Sequence, residues 1–400
     1  MDTNIGAPCL DRRDNTPSGV PIVSSSRNAP SKKSESAGQR GTPGNTRFGK
    51  PAYLEFFAGS GLVAHALKSY FKAEWANDIC EKKSAVYTAN HGDKHFHLGS
   101  IADVTGNELP EAILSWASFP CQDLSLAGLT AGIHGERSGL VWQWLRVIDE
   151  MQSRPPLLVA ENVTGLISVD NGRHYRILHE ALMSRGYKVG AIVLDAVHWV
   201  PQSRPRVFVI AVLDDISIPD ALLADGPNWM HPSFVVKFAK DMDGWVWWNM
   251  PQPPKRKKDL ADIIEWDAQC NEQKDADRNL RLIPKHHRTL LDQEGVSVAP
   301  GYKRTRNNTQ VLELRFDGVA GCLRTPKGGS SRQFVVIKRG GKMFTRLLTI
   351  RETARLMGAP ESFKLPGTYN DGYKAMGDAV AVPVARYLAR HLLSVLAKEI

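Results

Sequence analysis

With 400 residues, 42% of them hydrophobic, the chain can bury a sizeable core, which excludes a wholly disordered protein and suggests two or three domains. Its 51 basic against 42 acidic residues give a formal charge of +9 and a pI of about 9.2, favouring a polyanionic partner over an acidic surface, although a solvated basic face would score the same. The five cysteines (Cys9, Cys80, Cys121, Cys270, Cys322) are odd in number and lack CxxC or Cys/His spacing, which argues against a disulfide framework or a metal site. They fit a reducing cytoplasm, and no apolar run of about 18 residues marks a membrane span.

Residues 1–48 are rich in Ser, Pro, Gly, Asn and basic residues with almost no apolar periodicity, and are expected to be a disordered tail. From Tyr53 the texture changes. The runs "AYLEFFAG", "AEWANDI", "AILSWASFP", "PLLVAENV", "YKVGAIVLDA" and "RVFVIAVL" read as strands spaced by helix-length segments. That rhythm predicts an α/β fold with a mostly parallel sheet and helices on both faces over residues 49–213.

Strand one runs into "FFAGSGL", where Gly59 and Gly61 allow backbone to approach a ligand at the carboxyl end of the strand. A tight βα turn needs the same residues. Strand two ends in "NDI", so Asp78 can accept from both hydroxyls of a ribose or can cap the helix "EKKSAVYTANHG". The next strand ends in "SFPCQDLSLAG", which puts Cys121 where a thiolate could act as a nucleophile, or where a small apolar side chain could be buried. "LLVAENV" brings Glu161 to the same edge, a carboxyl group able to serve as general acid. "VPQSRPRVFVIAV" then offers Gln202, Arg204 and Arg206, with the arginines alternating onto one face and able to hold a base carbonyl and phosphates or to pair with surface acids.

Between 214 and 345 the rhythm gives way to proline-rich and basic stretches, "PQPPKRKK" and "YKRTR", with tryptophans at 229, 245, 247, 248 and 266. A smaller second domain is expected there, its tryptophans serving a core more readily than base stacking. "GCLRTPKGGSSRQFVVI" sets Arg324, Lys327 and Arg332 before an apolar strand, a candidate major-groove contact. After 346, "TIRETARLMGAP" reads as a helix stopped by Gly358 and Pro360, and "AVAVPVARYLARHLLSVLAKEI" as one C-terminal helix returning to the first domain.

The ordered set FxGSG, PCQ, ENV and QxRxR, each at a strand end, resembles the DNA (cytosine-5)-methyltransferases of bacterial and phage type, over Tyr53 to about Leu213 and Arg346 to about Leu393. The resemblance implies an S-adenosylmethionine-dependent, Rossmann-like catalytic domain with a target-recognition domain at 214–345. It implies that Cys121 adds to carbon 6 of a cytosine while Glu161 protonates ring nitrogen 3, and that Arg206, with Arg204 beside it, holds the base carbonyl. Phe57, Ala58, Gly59, Gly61 and Asp78 would surround the cofactor, with Ile79, Ile101 and Pro120 flanking its adenine. Gln122, Ser125 and Gln202 would lie at the DNA, and the base would be flipped out of the duplex beneath a closing loop at 123–139.

Two positions depart from the family pattern: Ser100 stands where an aspartate usually meets the adenine amine, and Asp378 where an asparagine is commoner. The reading that follows is a monomeric enzyme acting on double-stranded DNA, solitary or with a companion restriction endonuclease. An RNA methyltransferase on the same scaffold and a catalytically idle DNA-binding regulator are the alternatives.

Overall fold

Seven strands form the larger sheet of the computed structural model, which describes residues 49–120, 139–293, 295–325 and 332–400. They are β1 (Ala52–Phe56), β2 (Lys72–Asp78), β3 (Phe96–Leu98), β4 (Leu114–Ala117), β5 (Leu157–Val163), β6 (Tyr187–Asp195) and β7 (Pro205–Leu213). Their order is β3-β2-β1-β4-β5-β7-β6, parallel except for β7, which runs antiparallel to both its neighbours. The expected tail, the closing loop and Cys121, Gln122, Ser125 and Lys327 lie outside the described residues.

The central strands read as near-continuous apolar runs because both faces of the sheet are covered. Side chains alternate between two cores. Tyr53, Trp116, Leu157, Val159, Phe208 and Ile210 face one, with α1 (Leu62–Leu67) and the C-terminal helices. Leu54, Phe56, Leu158, Ala160, Val207 and Val209 face the other, with α3 (Leu140–Glu150) and the helix Arg173–Met183. Each large side chain so buried stabilises the fold by roughly 1.5–3 kcal/mol. Between α1 and α3, α2 (Glu81–His91) follows β2.

Two features of this sheet position a site. The chain winds outward from β1 to β3, then crosses to β4 on the other side of β1, leaving a crevice at the carboxyl ends of β1 and β4. Because β7 is antiparallel, its first residues lie beside the last residues of β5, with Val163 opposite Arg206. A motif before one strand and a motif after another therefore share an edge.

The second sheet, β11-β10-β8-β9, is antiparallel and consists of two hairpins, β8 (Val298–Arg306) with β9 (Thr309–Leu314) and β10 (Gln333–Arg339) with β11 (Lys342–Leu347). Both hairpins turn on two left-handed residues, Asn307–Asn308 and Gly340–Gly341, the conformation that a two-residue hairpin needs. Its core is small, centred on Ile283, Leu312, Phe334 and Val336.

Residues 214–250 differ from the expectation of a separate domain. Trp245 bridges to Val189 on β6, Trp248 Nε1 donates to the Gly190 carbonyl, and the Trp229 indole donates to Met250. At the sheet's edge Trp229 and Trp248 extend the first core and Trp245 packs on the second, and a Cβ on Gly190 would stand 2.1 Å from the Val246 carbonyl oxygen. The C-terminal helix also differs: Val382–Leu388 passes through a π-helical turn, Ala389–Leu393, before Ser394–Leu396. By length and hydropathy the stretch Tyr369–Leu396 could cross a membrane, but 61% of its apolar window is buried inside the molecule.

Candidate active site

At the carboxyl end of β1 the chain turns through Phe57 (φ 56°), Gly59 (φ 56°) and Gly61 (φ 79°) before entering α1. Gly59 needs its conformation and faces open space, the nearest atom to an added Cβ being the Phe57 carbonyl oxygen at 3.9 Å. Gly61 is needed for a different reason. A Cβ there would press on the rings of His91 and Tyr87 at 2.7–2.8 Å, and His91 Nε2 lies 2.8 Å from the Gly61 carbonyl oxygen.

Asp78 ends β2, and its carboxylate accepts from Gly59 N and Cys80 N, each at 2.8 Å. Two of about four lone-pair sites are thus used to join the first two strand ends, and the remainder are available to a ligand. The helix cap it could have made is absent: Cys80 occupies the N-cap of α2 without a side-chain bond. Ile79 is 56% exposed and Leu98, opposite Asp78 across the β2–β3 pair, is 51% exposed. Two apolar side chains left in water beside a carboxylate and an open glycine turn suit a nucleoside, base against the apolar faces and sugar hydroxyls against Asp78. S-adenosylmethionine fits that donor and acceptor set.

The other expected cofactor residues divide. Ala58 is buried, Phe57 half-buried and Pro120 exposed, all at this edge, whereas Ile101 is 3% exposed and turns into the second core. The Ser100 hydroxyl accepts from Ala102 N, capping a short 3-10 turn. Asp378 does not turn to the cradle alone: its carboxylate stands 2.6 Å from Lys83 Nζ and accepts from the Thr325 hydroxyl.

Along the sheet, Glu161 near the end of β5 is nearly buried, with Oε1 3.2 Å from Arg206 Nε. Glu161 pairs with Phe208 in the ladder, so Arg206, two residues earlier, lies on the same face as its diagonal neighbour. Burial pushes the Glu161 carboxyl above its usual range, against the opposing pull of Arg206, Arg204 and a hydrogen bond with Ser118. Asn162, a residue that sequence reasoning passed over although it sits inside "ENV", donates to the Phe119 carbonyl at 2.9 Å. It pins the segment that leads through Pro120 to Cys121.

Two expectations are corrected. Gln202, expected at the DNA, is fully buried: its amide nitrogen donates to Leu356 and its oxygen accepts from Leu323 N, so both ends are used inside the protein. Arg204, expected at the base or a phosphate, is 1% exposed. Its guanidinium donates to the carbonyls of Leu323, Gly377 and Ala379 at 2.6–2.9 Å and to Cys322 Sγ at 3.2 Å. In both cases a polar side chain too buried to meet solvent closes the seam between three stretches of chain instead.

Cys322 was also missed as a site residue. Its sulfur lies 3.9 Å from both outer nitrogens of Arg206. Burial raises the thiol's pKa, but the charges of Arg204 and Arg206 outweigh it and the net direction is down. Arg324 is exposed beside it, at one end of a groove of about 780 Å³ that also meets Ser203, Tyr302 and Arg304. Arg332 is half-buried and donates to Asn370 Oδ1 at 2.6 Å.

Comparison with known proteins places the chain in a family. The model of the C-5 cytosine-specific DNA methylase family matches residues 52–394. Type II methyltransferase M.BsuFI of Bacillus subtilis is 25% identical over 342 residues, covering 85% of this chain and 72% of that protein. Type II methyltransferase M.HhaI of Haemophilus parahaemolyticus is 25% identical over 351 residues, covering 85% and 93%. Among solved structures, the S. pombe Dnmt2 methyltransferase shares the fold with a TM-score of 0.56 at 18% identity, covering 87% of this chain and 99% of that one. A putative DNA modification methyltransferase from an E. coli prophage shares it at 0.52 and 18%, covering 87% and 100%. The chain belongs to the C-5 cytosine-specific DNA methylase family and is an S-adenosylmethionine-dependent DNA cytosine-5-methyltransferase.

Proposed function

We propose that the protein methylates carbon 5 of cytosine at one short DNA sequence, through a covalent adduct of Cys121 with a base flipped out of the duplex. The observation that carries this reading is the Glu161–Arg206 pair at the edge where Asn162 anchors the segment running to Cys121. Carbon 5 of cytosine is a poor nucleophile. Addition of the Cys121 thiolate to carbon 6 forms the S–C bond and pushes the ring's π electrons toward nitrogen 3, where Glu161, its pKa raised by burial, delivers a proton.

Arg206 holds the base carbonyl and the Glu161 side chain together. When bound, S-adenosylmethionine would supply an electrophilic methyl group to the enamine-like carbon 5 and leave as S-adenosylhomocysteine. Loss of the proton on carbon 5 to a base, return of the nitrogen 3 proton to Glu161 and expulsion of Cys121 as thiolate then restore the ring and the enzyme. In this reading Phe57, Gly59, Gly61, Asp78 and Ile79 hold the cofactor, and Gln122 and Ser125 lie at the flipped nucleotide. The small sheet, with Arg324, Lys327 and Arg332, recognises the target.

We take the enzyme to be a cytoplasmic monomer on double-stranded DNA, solitary or paired with a restriction endonuclease. The test is transfer of labelled methyl from S-adenosylmethionine to unmethylated plasmid, with the methylated positions read by bisulfite sequencing. Methylation of one motif by the wild type and none by Cys121→Ser supports the reading. Transfer by Cys121→Ser at the wild-type rate would sink the covalent mechanism, and transfer to transfer RNA but not to DNA would replace the substrate.

A further inference from the structure

Asp378 ends the helix Tyr369–Asp378 and touches segments that reach the site from opposite sides. On one side is Lys83, 2.6 Å away in the first turn of α2, directly after the Asp78–Ile79–Cys80 edge. On the other is Thr325, whose hydroxyl donates to the second carboxylate oxygen and which follows the groove residue Arg324. Burial works against the charge on Lys83, but Asp378 and then Asp78 hold its proton, and its pKa is raised.

The junction has little room to slide. A Cβ on Gly377 would stand 2.8–3.0 Å from the backbone of Arg324 and Thr325, and Arg204 grips the carbonyls on either side of Asp378. The same helix is tied toward the glycine turn by Ser60, which donates to Ala375 at 3.0 Å, and toward the small sheet by Arg332 through Asn370. One rigid helix thus meets both proposed ligand edges, and the acid at its end contacts a residue from each.

We infer that the Lys83–Asp378–Thr325 chain is a positioning relay through which DNA and cofactor tighten one another's binding, an inference that rests on the function proposed above. A ligand shifts another's affinity only if it favours the arrangement the other needs. DNA seated on Arg324 holds Thr325 against Asp378, Asp378 then fixes Lys83, and Lys83 holds the first turn of α2, which follows directly on the Asp78–Ile79 edge proposed to meet the cofactor's sugar. The ordering of these side chains is met once for two ligands, and linkage makes the effect reciprocal.

The experiment is calorimetric titration of the full chain with S-adenosylhomocysteine, the demethylated product, alone and with saturating unmethylated duplex DNA. The wild type is expected to bind it about fivefold or more tightly with DNA present. Asp378→Asn, which keeps the shape but removes the charge facing Lys83, and Thr325→Val are expected to reduce that ratio below about twofold, the lower edge of measurable coupling. A ratio of one in the wild type, or an undiminished ratio in Thr325→Val, overturns the relay. If Asp378→Asn does not fold, Thr325→Val decides alone. S-adenosylhomocysteine failing to bind with or without DNA would instead overturn the function on which the relay rests.

Discussion

Glu161 Oε1 and Arg206 Nε stand 3.2 Å apart although one residue closes a strand and the other opens one. The antiparallel insertion of β7 between β5 and β6 makes this contact. Burial raises the pKa of the Glu161 carboxyl, which favours its proton-donating form, and the arginine limits how far the pKa climbs.

The pair predicts the pH profile of methyl transfer. In single-turnover assays the rate should fall on the alkaline side as Glu161 loses its proton, and Glu161→Gln should lower the rate by about 100-fold to 10,000-fold. Arg206→Ala removes the cation that lowers the Glu161 pKa, so the alkaline limb should move to higher pH even as the maximum rate drops. A limb that stays in place in Arg206→Ala would show that Glu161 is not the group being titrated.

Glu55 makes a second pH prediction, on stability rather than rate. It is buried in β1, bonded to the Tyr53 hydroxyl at 2.9 Å, and burial pushes its carboxyl from 4.5 up to about 8. The folded state keeps it neutral where the unfolded chain ionises it. Its stabilising contribution is therefore complete below pH 4.5 and is lost as pH rises toward 8. Between those limits the wild type should lose about 1.4 kcal/mol per pH unit relative to Glu55→Gln. Urea denaturation of both proteins across pH 5, 6, 7 and 8 measures the difference, and a constant difference would mean that Glu55 ionises normally in the fold.

Most of the sheet was legible because its strands, covered on both faces, are written as unbroken apolar runs, and the motif residues Asp78, Glu161 and Arg206 fall where those runs stop. The inward turn of Gln202 and Arg204 was not legible. Alternation along "QSRPR" places side chains on faces, but what covers a face is set by Leu323, Leu356 and Gly377, which come from distant parts of the chain. Cys322 escaped for the same reason, since its meaning lies in two arginines more than a hundred residues earlier in the sequence. Tryptophans 245 and 248 were assigned by their neighbours in sequence, whereas their packing follows the free edge of β6.

Gly61 and Gly92 allow backbone strain to be separated from packing at the cofactor turn. Both have positive φ, Gly61 in the left-handed region (φ 79°, ψ 23°) and Gly92 in an extended one (φ 82°, ψ 171°), but a Cβ at Gly92 meets nothing within 4 Å whereas one at Gly61 meets His91 and Tyr87. Gly92→Ala should cost about 1–3 kcal/mol of stability through backbone strain alone and leave cofactor affinity unchanged. Gly61→Ala carries left-handed strain and must also displace His91, with an overpacking cost of about 1–3 kcal/mol and a weaker grip on S-adenosylmethionine. Thermal denaturation and cofactor titration of the two variants test this. Cofactor affinity unchanged in Gly61→Ala as in Gly92→Ala would show that the His91 contact does not shape the turn.

Arg204 and Arg324 provide the sharpest contrast between an arginine that holds the protein together and one placed to hold DNA. Arg204 spends its guanidinium on three carbonyls and a sulfur, a fork that a single lysine nitrogen cannot reproduce. Arg204→Lys should therefore lower stability by roughly 2–4 kcal/mol, because buried charge-assisted bonds are lost. It should leave the salt dependence of DNA binding unchanged. Arg324 is exposed at the groove, and if it meets a phosphate, Arg324→Ala should reduce the slope of log affinity against log salt by about 0.9 while leaving stability near the wild-type value. Fluorescence anisotropy on one duplex over a salt series gives both slopes. A slope reduced by Arg204→Lys and unmoved by Arg324→Ala would reverse the two assignments, returning Arg204 to the DNA and leaving Arg324 as a solvated surface charge.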